Sequence, residues 1–266
     1  MISFIMPVYN GVHYISDAVE SIMDTVKTPW EIVICDDKSN DGSQRIISEW
    51  AKKDRRIHQI RNSNNIGAGA TRNKCIKEAK YDILFALDCD NILCEGVVDR
   101  MYLMMLEGKQ VVAIQKIGFF GFKNTNDHRP ENYWDFTKFG GMVNLEDMLI
   151  DFQVPPCSGN YMYRRLVFDI VGGYHDEDVQ ETWGFGFRHI AAGFPVWILP
   201  NSMYLHRFCR EGYYLRLPKE KMYQAFYRNV GTVRDRLSEE SKKEYDSWGS
   251  SKNGSKMILE GKLRLK

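Results

Sequence analysis

Two carboxylates separated by one residue, Asp88 and Asp90, directly follow the apolar run Phe85-Ala86-Leu87. If that run is a buried strand, side chains two residues apart point the same way, and both carboxylates stand at its C-terminal tip. Clustered anions repel each other unless a cation lies beside them, and Mg2+ and Mn2+ prefer such hard oxygen ligands. The pair therefore predicts a divalent-metal site that could bind a diphosphate, although ordinary turn chemistry also produces Asp-x-Asp.

The first half of the chain must position these carboxylates, and in it strand and helix patterns alternate. Strands are predicted at about 2–6, 31–35, 57–60 and 81–87. Of the three intervening helices, the first ends near Val26, the second begins at an N-cap on Asp41, and the third runs from Gly67 to about Lys80. Alternation of this length predicts an α/β fold with a mostly parallel sheet and right-handed crossovers, helices covering both faces.

Polar loops follow the first, second and fourth of these strands, at 7–10, 36–42 and 88–91. In open parallel sheets, ligands bind beyond the carboxyl ends of the strands. We therefore expect the three loops to meet at one crevice.

The second half is less regular. Strands are predicted at 111–117, 155–163 and 196–199, with helices from Arg164 to before Gly172 and over 181–192, the latter ending at Gly193. The stretch 118–150 is rich in aromatic residues and glycine, a composition that suits sugar stacking, a hydrophobic subdomain or a dimer contact. From Pro218 the pattern is helical and charged, and 247–266 is predicted to be a loosely packed tail. We divide the chain into a regular first half at 1–117, a less regular part at 118–216, and a C-terminal helical extension at 217–266.

The composition bounds the possible partners. The 266 residues are 44% hydrophobic and 27% charged, with a net charge of +1, which gives no reason to expect a nucleic acid partner. No apolar run approaches the roughly 20 residues that span a bilayer, and the chain enters a strand pattern directly after Met1, without a signal peptide. Six cysteines without a Cys-x-x-Cys pair indicate reduced thiols. We expect a cytoplasmic protein, soluble or peripheral to a membrane, and self-association stays open.

Five motifs occur in an order that resembles nucleotide-sugar glycosyltransferases of the GT-A fold, most closely the large inverting family 2. The resemblance covers about residues 1–210 and rests on 7–10 (PVYN), 33–43 (VICDDKSNDGS), 65–73 (NIGAGATRN), 87–91 (LDCDN) and 172–174 (GGY) with Glu181 seven residues before Arg188. It implies a Rossmann-like GT-A sheet with a helical C-terminal extension, and a UDP-sugar donor. It also implies that 1–117 is the nucleotide-sugar-binding half and 118–216 the acceptor-binding and catalytic half of the same GT-A domain.

The resemblance also implies roles for donor-binding residues, namely Pro7, Tyr9, Asn10, Asp37, Arg72 and Asp88. Asp37 would accept the N3–H of a uracil ring, a donor that cytosine lacks. Arg72 would add a fixed positive charge beside the base or phosphate. Mn2+ or Mg2+ would be held by Asp90, by Asp88 directly or through water, and by His206, and would act as a Lewis acid on the departing diphosphate. Arg207 and Arg210 would lie on a loop that closes over the diphosphate. For Asp41, backbone turn contacts are the favoured role.

The acceptor half would supply the base that takes the proton of the acceptor hydroxyl. Family members often carry a Glu-Asp pair at the start of the helix predicted at 181–192, whereas this chain has Glu181-Thr182. Glu181 is the candidate base, and Asp178 and Asp176 are the alternatives. Trp183 and Asn160 are the candidate acceptor-binding residues.

The predicted function is metal-dependent transfer of a hexose or N-acetylhexosamine from a UDP-sugar to a glycan or lipid-linked saccharide acceptor, with inversion. A retaining GT-A transferase and a catalytically degenerate binding or assembly module stay open. A nucleotidyltransferase is disfavoured because the glycine-rich Lys/Arg signature after the first strand is missing.

Overall fold

The computed structural model describes residues 1–121, 128–139, 141–150, 159–175, 181–208, 219–249 and 263–266. Its strands are β1 (Ile2–Val8), β2 (Trp30–Asp36), β3 (Ile57–Arg61), β4 (Ile83–Ala86), β5 (Ile92–Leu93), β6 (Val111–Phe120), β7 (Asn132–Asp135), β8 (Met142–Val143), β9 (Tyr161–Arg164) and β10 (Val196–Arg207). Its helices are α1 (Ile15–Thr25), α2 (Ser43–Lys53), α3 (Ala68–Glu78), α4 (Val97–Leu106), α5 (Leu145–Ile150), α6 (Arg165–Val171), α7 (Glu181–Ala191), α8 (Lys219–Gly231) and α9 (Glu239–Gly249).

Within these residues the strands form one sheet in the order β3-β2-β1-β4-β9-β6-β10-β5. Strands β1 to β4 are mutually parallel, β6 and β10 are parallel, and β9 runs antiparallel between β4 and β6. The mostly parallel α/β sheet that the strand and helix alternation predicts is therefore confirmed.

Apolar patterning explains the packing of the first half. Every residue of β2 is buried, as expected for a central strand covered on both faces. In α1 the fully buried residues Ile15, Val19 and Ile22 recur at a helical spacing and turn one stripe towards the sheet. Burial of each such aliphatic side chain contributes about 1.5–3 kcal/mol.

Strand β7 occupies a distinctive place. One edge of β6 pairs with β10 along nearly its whole length, and the other edge pairs first with β9, at Val111–Ala113, and then with β7, at Lys116–Phe119. β7 therefore continues the position of β9 beyond the carboxyl ends of the parallel strands. The sequence did not predict that β7 pairs with β6, because β7 lies in the stretch 118–150, which contains no recognisable motif.

Three expectations about element ends are wrong. The strand before the two carboxylates ends at Ala86, and Asp88 to Asn91 form a turn in which the Asn91 N–H donates to the Asp88 carbonyl at 3.2 Å. The strand expected to stop at Leu199 continues to Arg207, because β6 extends alongside it. Gly42, with φ of 98°, is the N-cap of α2 in place of Asp41.

The C-terminal residues are not a loose tail where the structure describes them. Trp248 is buried, Leu263 is fully buried, and Leu265 forms a β-bridge with Leu237. The Ser238 N–H donates to the Arg264 carbonyl at 2.9 Å. Residues 250–262 lie outside the described residues, and the three-part division of the chain stays a prediction.

Two further sequence expectations concern cysteines and membranes. Among the described cysteines, Cys35, Cys75, Cys89 and Cys94 form no disulfide; Cys157 and Cys209 fall outside the described ranges. No helix of the described chain combines the length and the apolar character that a membrane crossing requires.

Candidate functional site

The loops that follow β1 and β2 are joined at the carboxyl edge of the sheet. The Asn10 N–H donates to Ser39 Oγ at 2.9 Å, and the Asn40 N–H donates to Asn10 Oδ1 at 3.1 Å. Asn10 and Lys38 adopt left-handed backbone conformations, with φ of 54° and 63°. Asparagine tolerates this region because its short side chain bonds locally.

The predicted base-pocket residues stand at this edge. Tyr9 is 54% exposed and follows the half-buried Pro7 and the buried Val8 at the end of β1. An exposed phenol ring beside a polar loop offers a surface on which a planar base can stack. This placement is compatible with the predicted donor role, which stays a prediction.

Asp41 has the structural role that the sequence favoured. Its Oδ2 accepts from the Val12 N–H at 3.0 Å, and its Oδ1 accepts from the N–H and hydroxyl of Ser43 at 2.9 and 2.6 Å. Although burial alone would raise the pKa of Asp41, these hydrogen bonds lower it. Asp41 thereby ties the loop before α1 to the start of α2.

Asp37 holds the loop that leads into α3. Its Oδ1 accepts from Asn62 Nδ2 at 2.8 Å and from the Ile66 N–H at 2.9 Å, and its Oδ2 accepts from the Gly67 N–H at 2.9 Å. The residue is 3% exposed. A carboxylate offers about four acceptor positions, so one remains for a further donor such as a uracil N3–H.

Arg72 is the centre of the site. It projects from α3, is 4% exposed, and donates from Nη1 to Glu181 Oε1 and from Nη2 to Asp88 Oδ1. Burial alone would lower the pKa of the Arg72 guanidinium, but the two carboxylates outweigh it and raise the pKa above its ordinary value. One buried cation thus joins the predicted donor carboxylate to the predicted base. The sequence placed Arg72 beside base or phosphate and did not reveal this bridge.

Glu181 is brought to Arg72 by a close approach of α3 and α7. A Cβ added to Gly69 on α3 would lie 3.3 Å from Glu181 Cβ, tighter than ordinary van der Waals contact. Glycine at position 69 therefore allows the two helices to meet. Glu181 is the first residue of α7, where the helix dipole favours a carboxylate, and its side chain is 15% exposed.

Asn160 forms a hydrogen bond to the backbone of the turn that begins at Asp88. It is 2% exposed, and its Oδ1 accepts from the Asp88 N–H at 3.0 Å. From the sequence, Asn160 was predicted by analogy alone to contact the acceptor, and this role stays a prediction. Its hydrogen bond to the Asp88 backbone, which positions the turn, was not predicted. The signal available was an asparagine directly before the strand Tyr161–Arg164.

Asp90 and His206 lie within electrostatic range of each other. Burial raises the pKa of Asp90, and Asp88 adds to the rise, while His206 and Arg207 act in the opposite direction. The His206 ring stacks edge-on against Phe119, with centroids 5.2 Å apart. A bound cation would reduce the electrostatic repulsion between these two neighbouring carboxylates.

The side chains at this turn supply only some of the ligands that a metal ion needs. Asp88, Asp90 and His206 supply oxygen and nitrogen ligands suited to Mn2+ or Mg2+. Within the described ranges, however, no three His, Cys, Asp or Glu side chains are grouped closely enough to hold a metal by themselves. A metal at this turn would therefore take part of its coordination from the donor substrate.

Arg207 differs from its predicted place on a mobile loop. It is the last residue of β10, is 4% exposed, and donates from Nη2 to Asp17 Oδ2 at 2.6 Å. Its Nε lies 3.4 Å from the Asp90 carbonyl. The predicted loop placement is wrong for Arg207, because it lies on β10 with its guanidinium buried against α1 and beside the Asp88–Asn91 turn; the role towards the diphosphate stays a prediction. Arg210 lies outside the described residues.

The remaining candidates are placed as follows. Trp183 is half-buried on the first turn of α7, and its acceptor role stays a prediction. Thr182, at the position of the family aspartate, is 8% exposed. The alternative bases Asp178 and Asp176 lie outside the described residues.

Several proteins that are similar to this chain in sequence are glycosyltransferases. Over 233 residues the chain is 30% identical to an uncharacterized glycosyltransferase of Methanocaldococcus jannaschii, MJ1057, covering 85% of this chain and 77% of that protein. Over 107 residues it is 33% identical to the Escherichia coli UDP-Glc:alpha-D-GlcNAc-diphosphoundecaprenol beta-1,3-glucosyltransferase WfgD. That alignment covers 40% of this chain and 42% of WfgD, so it spans less than half of that enzyme.

Solved structures share the architecture. S. aureus TarS 1–349 in complex with UDP-GlcNAc superposes with a TM-score of 0.71 at 17% identity, covering 92% of this chain and 70% of TarS. The mannosyltransferase PcManGT from Pyrobaculum calidifontis, in complex with GDP-Man and Mn2+, superposes with a TM-score of 0.68 at 14% identity, covering 97% of this chain and 74% of PcManGT. At these identities the likeness shows the fold alone, which is GT-A.

A sequence profile gives the family. The profile of Glycosyl transferase family 2 matches residues 3–169, which contain the joined loops, Asp37, Arg72 and the Asp88–Asn91 turn. The chain belongs to glycosyl transferase family 2.

Proposed function

We propose that this chain transfers a sugar from a UDP-sugar to a glycan or lipid-linked saccharide acceptor, with inversion and with the help of a divalent metal. The observation that carries the proposal is the buried bridge Asp88–Arg72–Glu181. The Arg72 guanidinium binds both Asp88, the carboxylate proposed to act on the donor, and Glu181, the carboxylate proposed to act on the acceptor. A sugar transfer needs this proximity, because both substrates react at one carbon atom.

Glu181 is the proposed base. Its Oε1 accepts from Arg72, so its Oε2 is the atom that would receive the proton of the acceptor hydroxyl. Proton removal on the side opposite the leaving diphosphate gives inversion at the anomeric carbon. Analysis of the product anomer by NMR separates this outcome from a retaining transfer.

Asp90 and His206 are the proposed direct metal ligands, Asp88 would act through a metal-bound water, and the donor diphosphate would complete the coordination. A divalent metal held there would neutralise charge that develops on the departing nucleoside diphosphate. PcManGT, which shares the fold, was solved with Mn2+. Arg72 is too deeply buried and too fully engaged by carboxylates to replace that charge by itself.

Asp37 supports a UDP donor because its remaining acceptor position suits the uracil N3–H. TarS was solved with UDP-GlcNAc, and WfgD is named for a UDP-Glc donor and a diphosphoundecaprenol-linked acceptor. These are properties of those proteins, and they support the same donor and acceptor classes here.

The first experiment is a hydrolysis screen of UDP-, GDP- and dTDP-sugars, with Mn2+ and with EDTA. We expect Mn2+-dependent release of UDP and its loss in Asp90→Asn. Asp82→Asn is the matched control, since Asp82 precedes the opposite end of β4 and its side chain is 86% exposed. Equal hydrolysis by Asp90→Asn and the control would refute the metal assignment. UDP binding without turnover, with any acceptor tried, would favour a binding module.

A further inference from the structure

A row of aromatic rings crosses three strands of the sheet. We define the aromatic row as Trp134 on β7, Phe119 on β6, and His206 and Tyr204 on β10. Neighbouring ring centroids are 4.6 Å apart for Trp134 and Phe119, 5.2 Å for Phe119 and His206, and 6.4 Å for His206 and Tyr204. These separations are those of interacting aromatic side chains.

The row begins at the buried floor of the site and ends in solvent. Tyr204 is 3% exposed, and burial together with the charges of Asp88 and Asp90 raises its pKa. Trp134 is 39% exposed at the other end. The rings therefore form a continuous row of contacts from beside the carboxylate turn to the exposed Trp134.

The register of the sheet fixes the level of Trp134 relative to the end of β4. Ala86 pairs with Tyr161, which pairs with Ala113, so these three residues lie at one level. β4 ends at this level, and the Asp88–Asn91 turn follows it. Trp134 pairs with Ile117, four residues beyond the level along β6. Trp134 thus stands on the part of the sheet that extends past the end of β4.

The lateral position of β7 distinguishes acceptor from donor. In the sheet, β4 lies between β1 on one side and the β9–β7 position on the other. The loops after β1 and β2, with Tyr9 and Asp37, occupy the first side. The side that β7 borders is left for the second substrate of the reaction at Asp88.

The chemistry of the exposed face suits a saccharide. Asn132 lies on the same face of β7 as Trp134, two residues away, and pairs directly with Phe119. An indole ring presents a flat apolar surface to the C–H groups of a pyranose, and a neighbouring amide can donate to and accept from its hydroxyls. All four residues of β7 are exposed, and Asp135 pairs with Lys116 at 3.2 Å, so the platform has a polar rim.

We propose that Trp134, Asn132 and Phe119 form the subsite that binds a pyranose of the saccharide acceptor. The proposal rests on the transferase function proposed above and assigns its acceptor side to β7. The aromatic row connects the subsite to His206 and Tyr204 beside the carboxylate turn, so the pairing of β7 with β6 positions the acceptor relative to Asp88.

The chain supplies its own matched control. Tyr133 precedes Trp134, is 52% exposed, and points to the opposite face of β7, where its pairing partner is Gly118. Trp134→Ala and Tyr133→Ala therefore remove exposed rings of the same strand from opposite faces. Trp134→Phe keeps a smaller ring on the platform face.

The experiment measures the affinity of methyl β-D-glucopyranoside and methyl N-acetyl-β-D-glucosaminide by saturation-transfer NMR, with UDP and Mn2+ present. We expect Trp134→Ala to weaken binding about tenfold, Trp134→Phe about threefold, and Tyr133→Ala not at all. The thermal unfolding midpoint of each variant should stay near that of the wild type, because both rings are exposed.

Equal losses in Trp134→Ala and Tyr133→Ala, or no pyranoside binding by the wild type, would overturn the proposal. Donor hydrolysis by the wild type is measured in parallel. Its absence alongside Trp134-dependent pyranoside binding, with no transfer to any acceptor tried, would refute the transferase function and leave a saccharide-binding platform. Its presence without such binding would refute the platform alone.

Discussion

Removal of the Arg72 guanidinium should destabilise the protein by an amount that the structure sets. Arg72 donates one charge-assisted hydrogen bond to Asp88 and one to Glu181, and it is 4% exposed. A hydrogen bond to a charged group contributes about 1.5–3 kcal/mol, and loss of one partner of a buried ion pair costs about 3–5 kcal/mol. The Asp88 side chain is 29% exposed, so water recovers part of that loss. We expect Arg72→Met to lower the free energy of unfolding by about 3 kcal/mol, or the melting temperature by about 6–12 °C.

Two further variants test whether the bridge itself is the cause. Arg72→Lys keeps the charge, but a compact ammonium cannot reach both carboxylates with a planar fork, so we expect about half the loss. Glu181→Gln keeps an acceptor oxygen for Arg72 and should cost about 1 kcal/mol.

Urea unfolding of the wild type, Arg72→Met, Glu181→Gln and the double variant forms a double-mutant cycle. The coupling energy of the pair should be at least about 1 kcal/mol, because the residues are in direct contact. Additive effects, or a loss below about 1 kcal/mol in Arg72→Met, would refute the reasoning that one buried cation joins the two carboxylates.

Three other predictions follow from single contacts. Burial lowers the pKa of His189 from 6.5 to about 4, so its stability contribution is complete above pH 6.5 and is lost as the pH falls towards 4. That loss amounts to about 3 kcal/mol, and the urea midpoint of His189→Gln should lack this part of the pH dependence; parallel profiles would contradict it. Gly173 has φ of 77°, and an added Cβ would lie 2.9 Å from Asn73 Oδ1, whereas a Cβ at Gly193, with φ of 92°, would meet open space. Gly173→Ala should therefore cost about 2 kcal/mol and Gly193→Ala about half of that, measured by urea unfolding, and equal costs would exclude the steric part. Asp37→Asn should reduce the preference for UDP over CDP about tenfold in a calorimetric titration, and an unchanged preference would remove Asp37 from the base pocket.

The sequence by itself determined the elements of the first 90 residues and the edge of the sheet at which their polar loops lie. Hydrophobic periodicity is local, so the amphipathic stripe of α1 and the apolar runs of β1 and β2 could be read from neighbouring residues. Asp41 could be interpreted correctly because its partners, Val12 aside, are two residues away. The order of the motifs identified the family before any contact was known.

Only the tertiary structure decided how the site is connected. Arg72 and Glu181 are 109 residues apart, and Asp88 and Asn160 are 72 residues apart, distances at which sequence spacing carries no geometric information. The same limit explains β7, which is exposed on all four residues and has no apolar alternation to reveal it. Arg207 looked like a loop cation because the extension of β10 depends on pairing with β6 rather than on its own composition. Local patterns thus fixed the strands and their polar ends, whereas contacts between distant segments determined which charge meets which carboxylate.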